Sequence, residues 1–206
     1  LANSLSGAGY SNSMAYTHLG QIWQGPLNGS GTAQQYLYCD SAHPHQLKGL
    51  YPTGTTCSNP TGATYTASYD AWGNVTSRTY GGTTATLTYD VLDHLVAWNA
   101  GSTNQQWYAY DASGNRVLLR STTGTGTSIT TYAFGLEEHL YGATGINAGN
   151  TYYYHLGGRI IGELTGITTL TTQFFLTDAL GSVLATFSAI AGSAAVLGNQ
   201  IYGPYG

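Results

Sequence analysis

Apolar side chains recur at every second position in short runs along this chain, and each run ends at Asp, Gly or Asn. In Tyr108-Ala-Tyr110 the two rings are two residues apart. In an extended chain that spacing puts both on one face. Asp111 follows, and its short carboxylate can bond backbone N–H groups a few residues on and stop the strand. Gly114 supplies the positive φ of a tight reversal, and Asn115 tolerates the same conformation. Val117-Leu-Leu119 then returns as the partner. The pattern predicts a β-hairpin: strand, Asp-x-x-Gly-Asn, strand.

The phrase repeats. Tyr69-Asp70-Ala-Trp-Gly73-Asn74-Val-Thr-Ser-Arg78 has the same layout as Tyr110-Asp111-Ala-Ser-Gly114-Asn115. Tyr89-Asp90-Val-Leu-Asp93-His94 keeps the frame with Asp-His in place of Gly-Asn. The Tyr-Asp pairs start at 69, 89 and 110, steps of 20 and then 21 residues. Tyr36-Leu-Tyr38-Cys-Asp40 and Ala15-Tyr16-Thr-His-Leu-Gly20 read as weaker copies. A lone hairpin is barely stable in water. Successive units are therefore expected to pair edge to edge as a continuous all-β sheet advancing one hairpin per period.

Composition narrows the field. Charged residues make up 7 % of the 206, against about 25 % in an ordinary soluble domain. Thr (30), Ser (16) and Gly (29) stand in their place. Five scattered cations and a net charge of −4 offer no basic footprint for nucleic acid. No apolar run reaches the roughly 18 residues of a membrane-spanning helix. At 42 % hydrophobic the chain is too apolar for disorder, and Glu, Lys and Arg are too scarce for a helical protein. Leu1-Ala-Asn-Ser shows no signal-peptide pattern and no initiator Met, so a piece of a longer or processed polypeptide is expected.

The repeated Tyr-Asp-x-x-Gly-Asn-x-x-x-Arg phrase resembles the YD repeat of Rhs proteins, teneurins and the cocoon subunits of bacterial toxin complexes. The second half is similar, in order, to the Rhs-associated core. It carries Phe134-Gly135-Leu-Glu137-Glu138, then Gly157-Gly158-Arg159, then Asp178-Ala-Leu180-Gly181-Ser182, then Tyr202-Gly203-Pro204-Tyr205-Gly206. The likeness covers residues 16–206. It divides the chain into YD-type hairpins over 1–131 and a core-like segment over 132–206, continuous as one β domain. The resemblance implies a strip spiralling into a hollow shell that encloses or displays a variable C-terminal, toxin-like effector, in a secreted or cell-surface bacterial protein. The implied partner is the rest of the parent polypeptide; the alternative, from the scarcity of charged residues to guard strand edges, is an extracellular structural protein whose copies join into filaments through open sheet edges. The family's aspartyl autoprotease uses paired Asp-Pro motifs that this sequence does not include, and Gly203 stands where the similar phrase has Asp. No catalytic residue is carried over, and no cofactor is implied.

Read residue by residue, the remaining chemistry is sparse. Glu137 and Glu138 are adjacent, so a strand would point them to opposite faces, against a converging acid/base pair. Ser182 follows Gly181 without the Gly-x-Ser-x-Gly elbow. Cys39 and Cys57 leave three readings open: a disulfide, two buried thiols, or half a metal site with His43 and His45. Asn28-Gly-Ser and Asn74-Val-Thr spell glycosylation sequons, read as coincidence in a Ser/Thr-rich chain. The four Trp and 18 Tyr are expected to pack across strands, with glycan stacking as the alternative and Trp72 the ring expected at the surface.

Overall fold

The computed structural model describes residues 2–7, 10–26, 32–188 and 195–200. The described structure is all-β, and within each unit every strand is antiparallel to the next in sequence. The chain forms two compact units, Leu1–Gly101 and Ser102–Gly206. The first holds β1 (Ala2–Gly7), β2 (Tyr10–Tyr16), β3 (Ile22–Gly25), β4 (Gln34–Leu37), β5 (Gly49–Tyr51), β6 (Tyr65–Tyr69), β7 (Val75–Tyr80), β8 (Thr83–Tyr89) and β9 (Leu95–Asn99). The second holds β10 (Gln105–Tyr110), β11 (Arg116–Thr123), β12 (Gly126–Ala133), β13 (Glu137–Tyr141), β14 (Asn147–Leu156), β15 (Arg159–Gly166), β16 (Leu170–Thr177), β17 (Val183–Ser188) and β18 (Val196–Asn199). The sequence division at residues 131 and 132 falls inside β12.

Alternation decides the faces. In β6 to β8, Thr66, Ser68, Ser77, Thr79, Thr84 and Thr86 share one face through the pairs Thr66↔Thr79, Ser68↔Ser77, Thr79↔Thr84 and Ser77↔Thr86. Hydroxyls bond across it, as Thr79 Oγ1 and Thr84 Oγ1 do at 2.8 Å. The opposite face brings Ala67, Arg78 and Ala85 together, and Ala67 and Ala85 are buried. Hydroxyl pairs hold the first face together without charge, and on the second Arg78 stands between two buried alanines.

The first unit buries its largest side chains around β5, where Leu50 is 1 % exposed and Leu37 and Tyr51 are buried beside it. Gln35 is buried too, and its Nε2 donates to the Trp23 carbonyl at 2.9 Å. Such a pairing lets a polar group sit in the core without a large desolvation cost. The second unit is different. Its buried residues, among those described, are Gly162, Ala185 and Ser188. Its nine strands keep most side chains on both faces at least partly open to solvent.

Candidate functional site

Six connections share one hydrogen-bond pattern. In the hairpin of β10 and β11, Asp111 N donates to the Asn115 carbonyl at 2.9 Å and Gly114 N to the Asp111 carbonyl at 3.1 Å. Asp111 Oδ1 accepts the backbone N–H groups of Ser113 (2.8 Å) and Asn115 (2.9 Å). Asn115 Nδ2 donates to Oδ2 at 3.1 Å. Gly114 has φ +81°, in the left-handed region that favours glycine.

Asp70 with Gly73 and Asn74 makes the same set, with Trp72 N and Asn74 N on Oδ1 at 2.9 Å each. Asp90 does so too, taking Leu92 N at 2.8 Å and His94 N at 3.0 Å. There Asp93 occupies the left-handed position at φ +62°, and the His94 ring replaces the Asn amide at 3.2 Å from Asp90 Oδ2. The core-like Asp178, Leu180, Gly181 and Ser182 form a fourth copy: Oδ1 accepts Leu180 N at 2.8 Å and Ser182 N at 2.9 Å.

Two further copies lack the carboxylate. Thr17 takes the place of Asp, its Oγ1 accepting Leu19 N (3.2 Å) and Gln21 N (3.3 Å). Gly142 offers only its backbone, with Gly142 N donating to the Ile146 carbonyl at 3.0 Å and Gly145 N to the Gly142 carbonyl at 2.9 Å. In all six the register slips by one residue at the position before the turn: Tyr16, Tyr69, Tyr89, Tyr110, Tyr141 and Thr177. The unit is thus a bulge, a turn and a left-handed fourth residue. The Asp strengthens it but is not indispensable. Asp40, the weaker copy, starts the same way by taking Ala42 N at 2.9 Å. The tight reversal does not form there, and a longer loop over 38–48 returns the chain as β5.

Hydrogen bonding holds these carboxylates ionised. The Asn115 amide and backbone N–H groups lower Asp111 below the ordinary carboxylate range. The backbone N–H of His94 does this for Asp90, and that of Ser182 for Asp178. At Asp70 partial desolvation opposes the shift, and the bonds from Asn74 and Trp72 outweigh it.

Further bonds join one hairpin to the next. The Tyr69 hydroxyl donates to the Leu47 carbonyl at 3.0 Å and the Tyr89 hydroxyl to Val75 at 3.2 Å. Asn74 Nδ2 reaches Asp93 Oδ1 at 2.9 Å as well as its own Asp70. The amide of that sequon is therefore engaged in the fold. Asn28 lies outside the described residues.

The core-like residues of the second unit divide into two groups. Gly157 and Gly158, at φ +58° and +78°, make the two-residue turn between β14 and β15. Arg159 follows, and its Nη1 and Nη2 donate to the carbonyls of Asp178 (3.0 Å) and Ala179 (2.7 Å). The guanidinium thus caps the backbone of the 178–182 turn. Beside this contact lies a cavity of about 350 Å³ lined by Tyr153, Arg159, Ile160, Phe175, Leu180 and Val183.

The second group centres on Glu138, which accepts the Tyr153 hydroxyl at 2.8 Å. Burial, and then this bond, push the Tyr153 hydroxyl up. Glu163, paired with Tyr153 across the strands, is raised by burial and by the Glu138 charge. Glu137 lies instead within 3.4 Å of the His139 ring. Gly135 sits in the loop joining β12 to β13. Pro204, Tyr205 and Gly206 lie outside the described residues.

Cys39 and Cys57 are joined, their Cα atoms 5.4 Å apart. His43 is exposed and bonds Asp40 at 3.0 Å. Among the described residues no three of His, Cys, Asp and Glu come together as a metal site. Trp72 is 82 % exposed at its turn, whereas Trp107 lies under the Arg120 guanidinium at 4.9 Å.

No family model matches the chain, and no curated protein matches it. Solved structures do. A chain of the crystal structure of TcdB2-TccC3-TEV is 13 % identical, with a TM-score of 0.44 over 87 % of this chain and 11 % of that one. A chain of the TcdB2-TccC3 crystal structure is 13 % identical, with a TM-score of 0.42 over 89 % and 12 %. A chain of the Photorhabdus luminescens Tc holotoxin pore is 12 % identical, with a TM-score of 0.40 over 85 % and 12 %. The similarity is distant, and the chain spans about a tenth of the length of the solved chains it matches.

Proposed function

We propose that this chain is a non-enzymatic wall segment of an Rhs/YD-repeat protein, part of a β-shell that encloses or displays a C-terminal, toxin-like effector at or beyond the surface of a bacterium. The observation that carries the reading is the repeated turn together with the open sheet built on it. The bulge-turn pattern recurs six times among the described residues, and the second unit buries only Gly162, Ala185 and Ser188. A sheet that covers so little of either face is a wall, not a free-standing core. The order of the Gly-Gly-Arg and Asp-x-Leu-Gly-Ser elements adds support, because Arg159 joins them directly.

The test uses the natural polypeptide that contains this sequence, isolated from its producing strain. Limited proteolysis of the folded protein should spare the segment after residue 206, and denaturation should expose it. A polypeptide with no such segment, or one cut equally fast in both states, defeats the proposal.

A second reading has its own observation. β18 is the last described strand and pairs with β17, and its Val196-Leu-Gly-Asn199 carries no charge to guard an open edge. That suits an extracellular structural protein whose copies join edge to edge. Electron micrographs of the purified chain decide it: regular fibres establish the second reading, and dispersed short particles remove it.

A further inference from the structure

We propose that the turn end of the first unit is a docking rim for a basic protein segment bearing regularly spaced apolar side chains. In that unit the connections over 17–21, 38–48, 70–74 and 90–94 each follow an even-numbered strand, so all four lie at one end of the antiparallel sheet. The four most exposed large apolar side chains described there are Val91 (99 %), Trp72 (82 %), Leu92 (70 %) and Leu19 (54 %). All four occupy the two apex positions of these turns. Leu19, Trp72 and Leu92 hold the same place, two residues after the capping Thr17, Asp70 and Asp90.

The turns do not need these side chains. The third copy has Ser113 at the equivalent position and closes with the same bonds. Exposed apolar groups that local structure does not use mark a contact surface. The tips are also held in place before binding. Asp70 and Asp90 bond the backbone N–H of Trp72 and Leu92 themselves, and Asn74 links the two hairpins through Asp93. Little conformational freedom remains to be lost on docking.

Charge selects the occupant. The acidic residues between 1 and 101 are Asp40, Asp70, Asp90 and Asp93, and all four lie in these connections. Lys48 is the one Lys or Arg among them, so four negative charges and one positive leave −3 at this end with His neutral. A complementary partner is cationic. An anionic membrane surface is repelled.

Geometry sets its spacing. Consecutive hairpins are two strands apart, about 9.6 Å, and a chain in the polyproline II conformation covers about 9.3 Å in three residues and returns to the same face at every third one. The segment that fits therefore carries an apolar residue at every third position, with basic residues between to face the carboxylates and the Trp72 ring.

The test is titration of the purified chain with a synthetic peptide of four Leu-Lys-Lys repeats. Peptides of Leu-Glu-Glu and Ser-Lys-Lys repeats, and phosphatidylcholine vesicles, serve as alternatives. The Leu-Lys-Lys peptide should bind best and weaken with added salt. Trp72→Ser and Leu92→Ser, each installing the residue of the third copy, should weaken it by about tenfold or more. Asp93→Asn, which removes a charge and tolerates the positive φ, should also weaken it. Unchanged melting of these variants shows that the turns still close. Binding that ignores Trp72→Ser and Leu92→Ser, equal binding of Leu-Glu-Glu or Ser-Lys-Lys, or stronger binding to the vesicles would overturn the proposal.

Discussion

Removing the Cys39–Cys57 bond tests what holds the first unit together where its hairpin rhythm fails. β5 has three residues, flanked by the loops over 38–48 and 52–64 in place of tight turns. It pairs with β4 at three positions and with β6 at two. Yet it carries the most buried side chain of the described residues, Leu50 at 1 % exposure. The bond spans 18 residues and ties the two loops to each other across β5. In the chain-entropy account a cross-link of that span is worth about 3 kcal/mol.

The Cys39→Ser, Cys57→Ser double variant should lose that amount. The loss should appear first as local opening around β5, because loops on both sides of the strand are released. Amide exchange at Leu50 and Tyr51 is the sensitive assay, since 3 kcal/mol corresponds to roughly 100-fold faster exchange. Dithiothreitol should produce the same change in the unaltered chain and none in the variant. Exchange at Leu50 that stays within about threefold, with an unshifted urea midpoint, would show that packing alone holds β5.

Three other expectations are open to measurement. A Cβ at Gly162 would lie 2.5 Å from the Gln173 carbonyl oxygen and 3.0 Å from Phe174 Cδ1, so Gly162→Ala should destabilise by about 1–3 kcal/mol. Gly149→Ala meets nothing closer than Leu140 Cβ at 3.9 Å and should stabilise by up to about 1 kcal/mol; equal melting of the two variants counts against the sheet register. The lowered Asp90, Asp111 and Asp178 carboxylates stabilise their turns fully above the ordinary value of 3.8. That contribution is lost as pH falls through the lower folded value. Exchange at Ser113 and Asn115, corrected for intrinsic rate, should therefore stay flat down to about pH 4 and rise below it, and loosening that begins near neutrality contradicts the capping role. Arg159→Met removes two donors from the Asp178 and Ala179 carbonyls, so exchange should quicken at 178–182 with 111–115 as the unmoved reference; equal change at both would show a general loosening.

The hairpins were legible where one residue type performs one local act. Asp in front of Gly announces a turn because the carboxylate and the left-handed glycine are both visible in the letters. The copies at Thr17 and Gly142 were harder to read, the first as a weak echo and the second not at all. Their closure rests on backbone bonds and on Gly20 and Gly145 at φ +79° and +75°. The spacing of Gly142 and Gly145 after Tyr141 is the signal that could have revealed the second. Asp40 misleads for the converse reason. It makes its first bond as the others do, but no glycine stands three residues on, and His43 is there instead.

What joins one hairpin to the next has no local signature at all. The Tyr hydroxyls find carbonyls 22 and 14 residues away, and Arg159 at the start of β15 finds the 178–179 carbonyls just past the end of the neighbouring β16. Each such contact depends on the stagger between strands, which a linear pattern does not contain. The same distinction explains the scarcity of charge. Asp40, Asp70, Asp90, Asp111 and Asp178, five of the nine acidic residues, each accept backbone N–H groups inside a connection. The strand faces rely on hydroxyls such as the Thr79–Thr84 and Thr122–Thr127 pairs. The Asp carboxylates lie where the backbone turns and would otherwise leave donors unpaired, whereas the three Glu and four Arg lie on strands. In the first unit that puts all four carboxylates beside the exposed apolar tips, at the end where complementary charge has most to gain.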